Sequence, residues 1–83
     1  MKYKIRFLAR ALKDLDGLEA KLKERILDRI DDLKDDLGGD VKKLTQFSPK
    51  YRLRVGDFRV LFDIEKEEIV IINVLHRSKA YQR

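Results

Sequence analysis

A chain of 83 residues holds one domain, residues 1–83, and not two, and a domain this small buries only about 60% of the surface its unfolded chain exposes, so its core must be economical. Apolar residues at 43% exclude intrinsic disorder, and charged residues at 42% leave room for little else on the surface. The absence of cysteine excludes disulfides and thiolate metal sites, and a net charge of +5 directs attention to anionic partners.

In chain order, Met1 to Arg10 alternates Lys/Arg with apolar residues and lacks the apolar core of a signal peptide. Within it, Tyr3, Ile5 and Phe7 alternate with Lys4 and Arg6, which predicts a strand over 3–7 with one buried face. Ala9 to Asp16 reads as a short helix with Leu12 and Leu15 inward and Gly17 as its stop. Leu18, Leu22, Ile26, Ile30, Leu33 and Leu37 then recur at spacings of three or four, which predicts one long amphipathic helix ended by Gly38-Gly39. The two helices should form an antiparallel hairpin. Asp31, Asp32, Asp35 and Asp36 crowd the end of the long helix, where the dipole disfavours each acid by roughly a few tenths of a kcal/mol. Either Arg29 and Lys34 relieve them or a basic element contacts them.

Residues 40–50 read as a connector ending in the turn signal Ser48-Pro49. Strands at 51–55 and 58–64 follow, joined by Gly56-Asp57, and glycine at the first position of a two-residue loop suits a type II′ turn. After a polar turn at 65–68, Ile69 to Leu75 is apolar on both faces and belongs inside the sheet. It includes Asn73 and is too short to span a bilayer, so the expected protein is soluble, cytoplasmic and without a membrane partner. The tail 76–83 is short and polar. The expected fold is α+β: β-α-α-β-β-β, a mostly antiparallel sheet with the N-terminal helical hairpin on one face.

A two-residue loop fixes the first register: Val55 opposite Phe58, Arg54 opposite Arg59, Leu53 opposite Val60, Arg52 opposite Leu61 and Tyr51 opposite Phe62. Tyr51, Leu53, Val55, Phe58, Val60 and Phe62 then line one apolar face, and Arg52, Arg54 and Arg59 share the other. A symmetric second turn would pair Ile64 with Ile69, Arg59 with Val74 and Asp57 with His76, which brings His76 onto the arginine face. Leu61, Val70, Ile72 and Val74 would lie there too, covered by the connector, the tail or a partner.

Residues 1–41 hold ten basic and ten acidic residues, whereas residues 42–83 hold ten basic and five acidic, so the excess lies in the second half. Lys42, Lys43, Lys50, Arg52, Arg54 and Arg59 lie within 42–59 against the single acid Asp57, the electrostatic footprint of a polyanion site. The bland alternative is a solvated basic surface. Arg54 opposite Arg59 costs a fraction of a kcal/mol by repulsion, and a retained conflict of this kind points to function. Among the 83 residues there is no Gly-rich phosphate loop or metal-ligand cluster, so no metal and no cofactor are expected.

The run YRLRVGDFRVLFDI at 51–64, with IINVLHRSKAY at 71–81 behind a strand and a helical hairpin, resembles the RelE/ParE toxin superfamily, the RelE branch in particular. The resemblance covers essentially the whole chain. It implies the RelE-like microbial RNase fold and a toxin of a type II toxin–antitoxin pair, whose partners are a cognate antitoxin, the ribosome and mRNA. RelE-like toxins cut mRNA in the ribosomal A site without metal: the 2′-OH attacks the adjacent phosphate and leaves a 2′,3′-cyclic phosphate. The residues that match the family's site are Arg52, Arg54, Arg59, His76, Arg77 and Tyr81, with Lys42, Lys43 and Lys50 as further phosphate-binding candidates. The chain departs from the best-known member in having arginines at 52 and 54 in place of lysines. Arginine stays protonated, so these two suit phosphate binding and not proton abstraction. Proton transfer then falls to His76, the only histidine, while Tyr81 could stack on a base or donate a proton. Two alternatives stand beside this reading: a ParE-like toxin that inhibits DNA gyrase, and an RNA-binding relative without catalysis.

Overall fold

The computed structural model describes residues 2–80 except 36, 45 and 47. The elements are β1 (Lys4–Phe7), α1 (Ala9–Asp16), α2 (Ala20–Asp32), β2 (Asp40–Lys43), β3 (Tyr51–Val55), β4 (Phe58–Glu65), β5 (Glu68–His76) and α3 (Arg77–Ala80). The strands form one sheet in the order β1-β5-β4-β3-β2, with β1 parallel to β5 and the other pairs antiparallel. This is the expected α+β arrangement, with two elements added where a connector and a tail were expected.

β1 passes directly into α1. The Leu8 N–H still bonds Ile71 O in the sheet (2.9 Å), while Leu8 O already accepts from Ala11 and Leu12. Ala11 and Leu15, four apart, face the core, and Leu12 points outward at 49% exposed, contrary to expectation. A stripe through 11 and 15 puts 12 about 100° away, and this short helix has only one buried face. Gly17 ends α1 as its C-cap, in an ordinary right-handed conformation.

α2 buries Ile26 and Ile30 but ends at Asp32, short of the predicted Gly38-Gly39. The apolar spacing does continue, with Leu33 buried and Leu37 packed against the core. The backbone, however, tightens into three-residue hydrogen bonds (Leu33 to Ile30, Lys34 to Asp31, Asp35 to Asp32), and Lys34 O is taken by the Tyr3 N–H at 3.0 Å. The N-terminal segment therefore captures a carbonyl that a longer helix would have kept. Asp35 consequently lies beyond the helix, Asp36 falls outside the described residues, and Asp31 forms an ion pair with Lys34 at 2.6 Å. That hydrogen bond and charge raise the Lys34 ammonium above the usual lysine value, with Asp35 adding to the effect.

β2 is the second departure. Asp40 to Lys43 pairs with β3 (Asp40 with Arg54, Val41 with Leu53, Lys42 with Arg52, Lys43 with Tyr51). One apolar residue in four gave no alternation to read, and the strand exists because β3 offers a free edge.

The β3–β4 register is the predicted one at all five positions, and Gly56 has the positive φ (+59°) that a type II′ turn requires. Phe62 and Val60, fully buried, stand on the helix side with Leu53 and Val55. Tyr51 stacks on Phe62 with ring centroids 5.5 Å apart.

The β4–β5 register starts as expected, with Ile64 opposite Ile69, but a bulge intervenes between Leu61 and Phe62. Leu61 then pairs with Asn73, Val60 with Val74, Arg59 with Leu75 and Phe58 with His76. One extra residue on β5 moves everything after it to the opposite face. Val74 therefore joins the helix-side core, and His76 shares a face with Phe58 rather than with the arginines. The bulge frees the Val74 N–H, which donates to Asp14 Oδ2 of α1 at 2.9 Å, with Asn73 Nδ2 at 3.4 Å from the same oxygen.

On the sheet face away from the helices, Leu61, Val70 and Ile72 are only 6, 4 and 8% exposed, so the chain itself covers them without a partner. The connector is drawn onto this face by the buried Asp63, whose carboxylate accepts from Ser48 Oγ and from the Lys50 N–H.

Candidate nucleic-acid interface

The strand pair β3–β4 carries the candidate site on the face opposite the helices. Alternation puts Arg52 and Arg54 on that face of β3 and Arg59, Leu61 and Asp63 on that face of β4. Arg54 stands directly opposite Arg59, and Lys42 of β2 opposite Arg52. The sequence-predicted cluster is thus brought together by register, with Lys42 added by a strand that was not predicted.

The three arginines have different surroundings. Arg54 is exposed and faces Asp40 across one strand pair and Arg59 across the other. Arg52 is held: its Nη1 donates to Asp40 O (3.0 Å) and approaches Asp40 Oδ1 (3.3 Å), with 13% of its side chain exposed. Arg59 is 8% exposed and has no carboxylate partner among the described residues. Its Nη1 donates to Gly56 O (2.9 Å) and Phe58 O (3.0 Å), the carbonyls of the hairpin turn. The Nε atoms of Arg52 and Arg59 are buried without a hydrogen-bond partner. A buried cation bound only to neutral carbonyls is fixed in direction and electrostatically unsatisfied, the condition under which a guanidinium binds an anion strongly.

His76 was expected among these arginines and lies instead on the helix side, at the end of β5. Its ring meets Phe58 edge-on with centroids 5.5 Å apart. Its Nδ1 accepts the Ser78 N–H at 3.2 Å and lies 3.0 Å from Ser78 Oγ, so it closes the first turn of α3. Because Nδ1 accepts, the neutral ring carries its proton on Nε2. In this arrangement His76 is exposed and presents a donor rather than a base.

Arg77 begins α3 at the same end of the sheet. Its N–H donates to Asp57 O at 2.7 Å, and its Nε lies 3.9 Å from Asp57 Oδ1, both side chains well exposed. The turn 56–57 therefore gathers Arg54, Arg59, Arg77 and His76 within one end of the molecule, on two faces. Lys43 pairs with Tyr51 and so shares the helix face. Lys50 is exposed at the connector's end, where its backbone is fixed by Asp63. Tyr81 lies outside the described residues. Asp63 and Ser48, which hold the connector, were missed as site-shaping residues; an acid on the arginine face of β4 was the available signal. Among the described residues no group of His, Asp and Glu is arranged to hold a metal ion, and no helix is long and apolar enough to cross a membrane.

Comparison with known proteins gives a consistent result. Residues 5–81 match the family model described as the ParE toxin of type II toxin–antitoxin systems. The chain is 30% identical to the toxin RelE3 of Methanocaldococcus jannaschii over 83 residues, covering 94% of both. Among solved structures it resembles a chain of the RelB–RelE antitoxin–toxin complex of Methanococcus jannaschii (TM-score 0.75, 28% identity, 92% of this chain and 94% of that one). It also resembles a chain of the RelBE2 toxin–antitoxin complex of Mycobacterium tuberculosis (TM-score 0.80, 26% identity, 93% of this chain and all of that one).

Proposed function

This chain belongs to the RelE/ParE superfamily of type II toxin–antitoxin toxins, and from that membership we propose that it is a ribosome-dependent mRNA endonuclease held in check by a cognate antitoxin. The observation that carries the reading is Arg59: a buried guanidinium with no acid partner among the described residues, directly opposite a second arginine. A toxin that acts on a protein target has no evident use for such a pair, whereas a phosphodiester does. The 30% identity to a RelE toxin supports the same branch, and the relatives solved as complexes with RelB antitoxins support an antitoxin partner.

In the proposed reaction the 2′-OH of one nucleotide gives up its proton to solvent and attacks the adjacent phosphate, the P–O5′ bond breaks, the 5′-oxygen takes up a proton, and a 2′,3′-cyclic phosphate remains. Arg54 and Arg59 neutralise the charge that builds on the phosphorane, with Arg52 and Lys42 binding a flanking phosphate. His76, with its proton on Nε2, and Arg77 are near the turn 56–57 and would donate hydrogen bonds to the leaving oxygen, whose proton comes from solvent. Tyr81 keeps its place as a candidate for stacking on a base, and Lys43 and Lys50 as outlying backbone contacts.

The test is primer extension on cellular mRNA after induction without antitoxin. Codon-phased cuts are expected, and Arg59→Ala and His76→Ala should each lower cutting at least about tenfold, a scale set by the usual contribution of a single catalytic group. A variant that cuts at the wild-type rate removes that residue from the mechanism. The family model's ParE description favours one other reading, inhibition of DNA gyrase. DNA damage with intact mRNA would establish that reading instead.

A further inference from the structure

We infer that the RNA track does not end at the β3–β4 turn but crosses it onto α2, with Arg25 as a further RNA-contacting residue. The inference rests on the RNA-facing reading above. A carbon built at the Cβ position of Gly56 would lie 3.8 Å from both Arg25 Nη atoms and 4.0 Å from Cζ. Both Nη atoms are nearer than Cζ, so the Nη end of the guanidinium faces the turn. From the other side Arg59 Nη1 donates to the carbonyl of this same Gly56 at 2.9 Å. Two guanidinium groups thus converge on one glycine, one from the helix layer and one from the open sheet face.

Local electrostatics do not explain this convergence. Asp57, the single acid of the turn, faces Arg77 at 3.9 Å. Asp28 is one helical turn from Arg25 and lines the same shallow surface, yet Arg25 forms no ion pair among the described residues. Its charge is directed to the turn instead. Like charges brought together without a counterion cost free energy, and an anion bound between them recovers it. The ligand chemistry is that of the site itself, a run of phosphodiesters, with Arg25 meeting a phosphate one or more nucleotides from the one at Arg59. The track stops at Arg25. Lys21, Arg25 and Arg29 line one shallow surface of α2 together with Glu24 and Asp28, and of the three basic residues only Arg25 also reaches the turn at Gly56.

The experiment is binding of a short fluorescein-labelled single-stranded RNA to the full chain, followed by anisotropy over a range of salt. Arg25→Gln, which keeps the aliphatic stem and hydrogen-bonding capacity, should weaken binding about 5- to 20-fold and lower the slope of log K against log salt by about 0.7, the loss of one phosphate contact. Arg25→Lys should keep the slope. If Arg25→Gln binds with the wild-type slope while Arg59→Ala does not, Arg25 only lies on the turn and the inference is overturned, with the RNA-facing reading intact. If Arg59→Ala also leaves binding unchanged, both fall together. Thermal unfolding of each variant separates misfolding from lost contact.

Discussion

Arg59 carries a full charge into a place that is 8% exposed, and what it gains there is two turn carbonyls and, among the described residues, no carboxylate. Burying an unpaired charge costs several kcal/mol before compensation. A position retained for binding rather than for stability should tolerate loss of the charge in the free protein. Arg59→Met, which keeps the stem, is therefore expected to unfold in urea within about 1 kcal/mol of wild type, or later, while RNA affinity collapses. A loss above about 2 kcal/mol would make Arg59 a structural staple of the turn, since that is the range of a broken buried hydrogen-bond network. Arg52, already bound to Asp40, should be the weaker of the two in any binding assay.

At the scale of elements, two local devices hold the sheet in the form that the site needs. The first is the β5 bulge and its partner Asp14. The bulge frees the Val74 amide, and the Asp14 carboxylate of α1 takes it. Asp14→Ala leaves that amide unpaired and is expected to cost about 1–3 kcal/mol, read as an earlier urea midpoint. An unchanged midpoint would mean that water serves the amide equally well. The second device is Gly39, where the chain turns into β2 with φ +107° and where a Cβ would meet Leu53 Cδ1 at 3.0 Å. Gly39→Ala combines backbone strain with a core contact and should destabilise by about 1–3 kcal/mol. Because β2 carries Lys42 and the Asp40 that holds Arg52, RNA affinity should fall with it, and retained affinity in a destabilised variant would uncouple β2 from the site.

Over the whole molecule, charge is segregated by layer. The acids collect around the C-terminal end of α2, where Lys34 gains an ion pair with Asp31, and the basic excess lies on β2, β3, β4 and the start of α3. Lys34 is raised in the folded state, so its small contribution is complete below the ordinary lysine value and fades only as the pH rises through the raised one. Binding should therefore be governed by the basic sheet face, with Arg25 of α2 at its edge. With about four phosphate contacts, affinity for single-stranded RNA should fall roughly 10- to 100-fold between 50 and 200 mM salt, following a slope of about −0.7 per contact. Affinity independent of salt would count against a phosphate clamp and toward a protein target.

Local rules were enough for much of this protein. A two-residue loop with glycine at its first position has one favoured register, so the facing of Arg54 and Arg59 was legible from residues 51–62. The period of the apolar residues likewise announced the helices and the interior strand. Three features depended on partners distant in sequence. β2 exists because β3 has an edge to share. α2 stops at Asp32 because the Tyr3 amide claims a carbonyl at Lys34. His76 changed face because one extra residue on β5, stabilised by Asp14 some sixty positions away, reverses the parity of all that follows. A strand's alternation is fixed by its own residues, but the register against which it counts is set by whatever else can satisfy its amides. The sequence therefore determined the arginine pair, and only the tertiary structure decided which side of the sheet the histidine would occupy.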